Sequence, residues 1–171
     1  VSLYRIVISH ADADHAGGLM SVWAEHSKVE VMFNQQELSE GRRQLGCEAG
    51  MQWSWDGVDF EVLYPTLAQL QTEQLSSNAS SCVLHVKTQG EHQHAILLTG
   101  DIEREQEANL VAAMQGQGQR IKADVMLMPH HGSRTSTSEV FIQEVQPIFA
   151  IAQSAYLNRY QHPAKEDVAR Y

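Results

Sequence analysis

The chain has 171 residues, 43% hydrophobic and 19% charged, the composition of a globular protein with a core of one domain's size. No apolar run reaches the ~18 residues of a membrane span, and no basic segment followed by an apolar one reads as a secretion signal. Twelve Lys plus Arg against 21 Asp plus Glu give a formal charge of −9, which argues against a broad basic footprint for nucleic acid or an anionic membrane.

The apolar run Leu3-Tyr4-Arg5-Ile6-Val7-Ile8 has the length and β-branched content of a buried strand. It delivers Ser9-His10-Ala11-Asp12-Ala13-Asp14-His15-Ala16-Gly17-Gly18 to a loop at the strand end. Alternate residues leave a strand on one side, and the bend brings His15 round beside them. A short helix begins near Leu19 and ends near His26, which reads as a helix-end residue beside the C-terminal dipole. Val29 to Phe33 reads as a strand. Gln35 to Leu45 is polar and helical in propensity, Arg42 and Arg43 read as solvated, and Gly46 stops the helix.

Met51–Trp55 and Val58–Tyr64 flank Asp56-Gly57, a dipeptide suited to a type I′ hairpin because both central positions need positive φ. Trp53, Trp55, Phe60 and Leu63 are assigned to core packing. Thr66 to Ser81, rich in Gln, Ser and Thr, reads as a surface loop with one helical turn. A second hairpin runs from Cys82 to Val86 and from His94 to Leu98. On it His85 shares the face of Lys87 and is expected to meet solvent, as are His92 and His94 near the turn. Cys47 and Cys82 have neither CxxC spacing nor a dense framework and leave the redox compartment open.

Ala95 to Thr99 is a buried strand that ends in Gly100-Asp101. A carboxylate there either N-caps the helix starting at Ile102 or bridges metal ions, and the full set of motifs favours the second role. That helix carries Glu103, Glu105, Glu107, Leu110, Val111 and Met114. Ala123 to Met128 is another buried strand, ending in Pro129-His130-His131-Gly132-Ser133. One His closes a metal shell while the other faces substrate, and the hydroxyls and free amides after Gly132 are placed to hold a phosphate oxygen. Ser136 or Ser138 caps the helix of Glu139 to Val145. Pro147 to Ala152 is the last strand, and Asn158-Arg159-Tyr160-Gln161-His162-Pro163 opens a final helix with Pro in its first turn.

Imidazole suits borderline transition metals and carboxylate suits harder ions, so two His and two Asp within six positions point to a divalent ion or a pair of them. Carboxylates neutralised by such cations also weaken the objection that net charge raises against a phosphate substrate.

The ordered set HxDxDHxGG, Leu97-Leu98-Thr99-Gly100-Asp101, Pro129-His130-His131-Gly132-Ser133 and Asn158 to Pro163 resembles the metallo-β-lactamase superfamily. Asp12, standing where most members carry a second His, makes it similar to the ComEC-type branch, the C-terminal domains of inner-membrane channels for natural DNA uptake. The resemblance implies an αββα sandwich of the α/β class, with residues 1–171 forming one partial domain that lacks N-terminal strands and the end of its last helix. Such a piece is expected to expose a strand edge and self-associate. It also implies a soluble domain, on the extracytoplasmic side, of a parent protein in the inner membrane.

The implied metal ligands are His10, Asp12, Asp14, His15, Asp101 and His130, holding two divalent ions, with Mn²⁺ favoured by Asp12 and Zn²⁺ the other candidate. Asn78 or Ser80 stands where a further His is usual. The expected activity is phosphodiester hydrolysis of single-stranded DNA. Asp14 orients water, His131 or His162 protonates the leaving oxygen, and Ser133, Thr135, Asn158 and Asn78 contact substrate. The alternatives are a metallo-hydrolase for a phosphocholine ester, lactone or thioester, and a catalytically silent module that guides DNA.

Overall fold

The computed structural model describes residues 3–34, 44–72 and 74–171. β1 (Arg5–Val7) is followed by α1 (Ala13–Ala16), α2 (Leu19–Glu25), β2 (Glu30–Met32) and β3 (Gln44–Leu45). The three strands pair in parallel in the order β1-β2-β3. Most of the helix expected over Gln35–Leu45, with Arg42 and Arg43, lies outside the described residues. Its last two positions are strand, because Leu45 pairs with Met32 and packs into the apolar layer between the sheets.

The second sheet has six strands in sequence order: β4 (Gln52–Trp55), β5 (Val58–Tyr64), β6 (Val83–Thr88), β7 (Ala95–Leu98), β8 (Val125–Leu127) and β9 (Phe149–Ile151). The β4–β5 turn has φ of 50° at Asp56 and 79° at Gly57, the two positive values its sequence anticipates. α3 (Leu67–Thr72) and a 3₁₀ turn at Asn78–Ser80 interrupt the Gln/Ser/Thr-rich loop. Strands β7, β8 and β9 run parallel, so each link crosses over through a helix, α4 (Arg104–Gly116) and then α5 (Glu139–Val145). The short helix α6 (Lys165–Val168) ends the chain.

Three buried clusters define the layers. Leu19 and Trp23 of α2 pack with Val31 and Phe33 on the outer face of the parallel sheet. Met32 and Leu45 meet Val62, Leu84 and Phe60 between the two sheets. Leu97 and Met126 meet Leu110, Val111, Phe141 and Val145 of α4 and α5 on the far side. The order is therefore helix, sheet, sheet, helices, the αββα sandwich that the resemblance implies. A disulfide joins Cys47, just after β3, to Cys82, just before β6, with Cα atoms 5.9 Å apart, and so links the sheets.

Several expectations need correction. His85 is buried, because the start of β6 is covered on both faces and Val83, Leu84 and His85 are all enclosed. Its Nε2 lies 2.8 Å from the Lys122 carbonyl. Trp55 is exposed and stacks on Tyr4 instead of entering the core, while Trp53 stacks on Phe60 with centroids 5.0 Å apart. Pro163 does not open the last helix. It follows a cis peptide bond, and Ala164 caps α6.

Candidate metal centre

The segments that follow β1, β7 and β8 meet at one pole of the sandwich. Because β7 and β8 are parallel, Gly100-Asp101 and His130-His131 emerge side by side, joined where the His130 N–H donates to the Gly100 carbonyl at 3.1 Å. The loop after β1 belongs to the other sheet, and its Ser9 carbonyl accepts from the Cys82 N–H at 2.8 Å. Gly100 is required at this junction: its φ is +56° and a Cβ would stand 3.0 Å from the Cβ atoms of both Ser9 and Ser81.

The cluster is built on Asp101, which is buried. Its Oδ1 is 3.2 Å from His15 Nε2, and its Oδ2 is 3.4 Å from His131 Nε2, 3.8 Å from His10 Nε2 and 3.9 Å from His130 Nε2. His131 Nε2 also lies 3.2 Å from His15 Nε2 and 3.3 Å from Asp14 Oδ2. Asp12 Oδ2 stands 3.7 Å from His10 Nε2, and Asp12 Oδ1 accepts from the Ser77 hydroxyl at 2.6 Å. Two donor sets are close enough to share an ion: His10, His15 and Asp101, and Asp14, His15 and His131.

Asp101 does not cap the following helix. Glu103 occupies that position, its N–H donating to Gln106 Oε1 at 3.2 Å, while the Asp101 N–H goes to Ser81 Oγ at 3.0 Å.

The two adjacent histidines, of which His130 is the expected ligand and His131 the expected acid, engage the cluster differently. His131 stands inside the cluster, whereas His130 turns its Nδ1 to Glu103 Oε1 at 3.1 Å. The cause is local: both residues take the left-handed conformation, with φ of 48° and 56°, which splays their rings apart. That conformation costs roughly 1–2 kcal/mol per non-glycine residue. Packing of the next residue resists relaxation, since Gly132 at φ +79° lies so close to Pro163 that a Cβ would approach it to 2.7 Å.

Electrostatics favour a cation. Burial opposes ionisation of Asp101, but the hydrogen bond and charge of His15, with His131 and His10, outweigh it and hold the carboxyl below the usual range. Burial and then His15 lower the pKa of His10 despite the three nearby aspartates. For His15 burial is outweighed by the bond to Asp101 and by the surrounding carboxylates, which raise its pKa. Three carboxylates and four imidazoles thus face one another at 3.2–3.9 Å, several of the distances too long for mutual hydrogen bonds.

The residues fit divalent ions. Buried His10 Nε2 has no hydrogen-bond partner, while its Nδ1 lies 3.1 Å from Ser9 Oγ and 3.3 Å from Ser81 Oγ. With Nδ1–H donated to those hydroxyls, the Nε2 lone pair points into the cluster, the arrangement of a ligand imidazole held by a second layer of groups.

The proposed substrate contacts are differently engaged. Ser133 Oγ is 3.0 Å from Thr135 Oγ1, which donates to Glu103 Oε1 at 2.9 Å and lies 3.4 Å from His130 Nδ1. These hydroxyls therefore orient His130 and Glu103. Asn158 donates to the Ala155 and His162 carbonyls and accepts from the His162 N–H, holding its loop together. The amides after Gly132 are not free: Thr137 and Ser138 donate theirs to Glu107, at 2.5 and 2.7 Å, and Ser136 donates to Ser133. Asn78 lines a separate depression with Glu103, Arg104 and Thr135. His162 sits behind the His pair, its ring centroid 5.8 Å from His130 and 6.5 Å from His131, and burial followed by those two rings lowers its pKa.

Sequence reasoning missed Ser9, Ser81, Glu103 and Glu107. Ser9 abuts the motif and Ser81 ends the Ser-rich run, but only the fold shows that both reach His10.

A cleft of about 290 Å³ opens beside the cluster, lined by Asp14, His15, Asp101 and His131 and by the apolar Val7, Leu84, Leu98 and Leu127.

No family model matches the chain. It is 38% identical over 163 residues to Competence protein ComA of Neisseria gonorrhoeae, 32% identical over 163 residues to Recombination protein 2 of Haemophilus influenzae, and 31% identical over 173 residues to ComE operon protein 3 of Bacillus subtilis. These alignments cover 95%, 95% and 94% of the chain but only 22%, 19% and 21% of the relatives, so the chain spans about a fifth of their length. Among solved structures, the metallo-β-lactamase fold protein YhfI from Bacillus subtilis aligns over 88% of this chain and 66% of its own, at 8% identity and TM-score 0.49. A variant of the β-hydroxylase CmlA aligns over 99% of this chain and 31% of its own, at 11% identity and TM-score 0.51.

Proposed function

As a metallo-β-lactamase-like domain whose sequence is related along 95% of its length to competence proteins, the chain is, we propose, a metal-dependent phosphodiesterase that processes the non-transported DNA strand during uptake. The observation that carries this reading is the convergence of His10, His15, Asp101, Asp14 and His131 on one pocket, with His10 Nε2 buried and unpaired.

His10 and Asp101 would hold one ion, and Asp14 and His131 a second; the single Nε2 lone pair of His15, within reach of both sets, would serve one of them, and Asp12 stands at the rim beside His10. Such ions supply Lewis acidity, lowering the pKa of a water and offsetting charge on the phosphoryl oxygens. Asp14, with most of its side chain exposed at the mouth of the cleft, orients the attacking water and accepts its proton. Ser9 and Ser81 hold the His10 ring, while Glu103 and Thr135 hold the His130 ring. His162 is the imidazole left to move a proton at the leaving oxygen. The hard oxygen of Asp12 favours Mn²⁺ over Zn²⁺.

The parent protein lies in the inner membrane in this reading, with the domain on its extracytoplasmic face. The Cys47–Cys82 bond supports that side, since disulfides persist in oxidising compartments. Among the described residues no helix is long and apolar enough to cross a membrane.

The test is hydrolysis of single-stranded DNA and of a simple aryl phosphodiester with Mn²⁺, with Zn²⁺ and with chelator, for the wild type and Asp14→Ala. Metal-dependent turnover, faster with Mn²⁺ and reduced about 10²-fold or more by the substitution, is expected. Equal turnover by the variant removes the site from the mechanism. The apolar lining of the cleft favours a second reading, hydrolysis of a small ester such as a lactone or phosphocholine ester. Faster turnover of those compounds than of DNA would select it.

A further inference from the structure

Beyond the metal ligands, one loop next to them carries chemistry that the hydrolytic reading leaves unused. Tyr160 is 63% exposed, yet its ring lies nearly parallel to that of His162, at 17° and 5.7 Å between centroids. His162 in turn neighbours His130 and His131, so the exposed phenol is two ring steps from the cluster. Arg159 lies over the same phenol, its guanidinium carbon 4.6 Å from the ring centroid, and donates to the Tyr160 hydroxyl.

Charge sets Arg159 apart from most arginines in this chain. Arg5, Arg120, Arg134 and Arg170 each pair with a carboxylate, but among the described residues Arg159 faces none within ion-pair distance. A chain of net charge −9 thus places a cation without a carboxylate in the loop that also carries His162. The backbone beneath is braced by Asn158, whose side chain makes three bonds across the loop to Ala155 and His162. The bracing fixes the loop that carries the ring, so a ligand that stacks there has less ordering entropy to supply.

We propose that Tyr160 and Arg159 form a nucleotide subsite beside the metal centre, two ring steps from it, where the guanidinium moves off the phenol to take a phosphate and a base of single-stranded nucleic acid stacks on the ring face it uncovers. The inference rests on the phosphodiesterase reading and names the part of the substrate that this loop recognises. Every base has a π-face, so the subsite tolerates any sequence, and it favours single strands because a paired base cannot leave its stack to reach the ring. Arg159 suits both positions, being planar enough to cover the phenol and charged enough to meet the phosphate.

The experiment uses the chain in chelator, without turnover, and a fluorescent oligothymidylate read by anisotropy. Tyr160→Ala is expected to weaken binding about tenfold, the scale of one lost base–aromatic stack, while Tyr160→Phe stays within about twofold of wild type. Arg159→Ala should flatten the dependence of log affinity on log salt by about 0.7, the share of one phosphate on a single strand. An abasic oligonucleotide should bind wild type about tenfold more weakly than the thymidylate and should not distinguish Tyr160→Ala from it.

Equal binding by Tyr160→Ala and wild type overturns the proposal, as does Tyr160→Phe binding as weakly as Tyr160→Ala, or tight binding of the abasic strand. If this binding pattern holds while no metal restores hydrolysis, the subsite stands and the phosphodiesterase reading fails. If hydrolysis of the simple diester is intact while Tyr160→Ala binds normally, the reverse is true.

Discussion

Two of the regions that bury ionisable side chains treat them in opposite ways. At the metal pole His10 is 0% exposed and its Nε2 has no partner, while Asp101 is ringed by four imidazole nitrogens, those of His10 and His130 at 3.8 and 3.9 Å beyond hydrogen-bond reach. Away from that pole His85 is 2% exposed and its Nε2 is matched by the Lys122 carbonyl. Glu107, on α4, is fully buried and receives the N–H groups of Thr137 and Ser138. Buried polar groups are normally satisfied by the protein, so a pocket where they are left incomplete is shaped for something from outside. Burial alone does not mark function, and Asp167 Oδ2 shows that a missing partner alone does not either; at His10 the unpaired nitrogen faces other ligand groups.

Breaking the completed region should cost the most stability. Glu107→Ala strands two backbone donors, one of them fully buried, which is worth about 3 kcal/mol and a fall of about 10 °C in Tm. Urea denaturation checks it. Glu107→Gln keeps an acceptor and should cost about 1 kcal/mol. The loop it anchors follows directly on His131, so the alanine variant should also lower metal affinity. A loss under about 0.5 kcal/mol would mean that the two amides find water instead.

The incomplete region should behave the other way, gaining stability from an external ion. Mn²⁺ at about 100 times its dissociation constant should add about 2.7 kcal/mol to unfolding, read as a rise in Tm between chelator and ion. His10→Ala should erase most of that rise, while His85→Gln should leave it intact. An equal rise in both variants would end the distinction between the two histidines.

The sequence displays the metal pole more clearly than its supports, for a physical reason. Ligand groups must be dense, and density within Ser9 to Gly18 or at Pro129 to Ser133 is visible in one dimension. The layers were also legible, because β-branched runs and the Asp56-Gly57 turn report local preference. What hid was decided across the fold. His85 alternates with Lys87 as a surface residue would, but the start of β6 is covered on both faces. The roles of His130 and His131 turn on two left-handed backbone angles that no propensity foretells. Glu107 reads as one acid among several on a polar helix until the loop after Gly132 wraps onto it. Cys47 and Cys82 stand 35 positions apart and meet only because the sheets do.

The smallest effect separates the two regions by pH. Burial, followed by the charge of Lys87, lowers the pKa of His85 below 6.5. The unfolded chain therefore takes up this proton first as pH falls. Between 6.5 and the lower folded value the unfolded state binds more protons, so the contribution of His85 is fully present above pH 6.5 and is lost as pH drops through that window. His10 and His162 have lowered pKa values and act in the same direction, whereas His15, with a raised one, opposes it. The absolute curve mixes all of these, but the difference between wild type and His85→Gln isolates one. Glutamine retains an N–H for the Lys122 carbonyl and does not titrate, so the variant should lose less stability than wild type between pH 7 and pH 5.5. Saturating Mn²⁺ should suppress the share due to His10 and His15, since protons and the ion compete for their nitrogens, and should leave the His85 difference unchanged. Chemical denaturation of both proteins at the two pH values, with and without the ion, measures all of this, and a His85 difference that vanishes with Mn²⁺ would place that histidine in the metal-linked region after all.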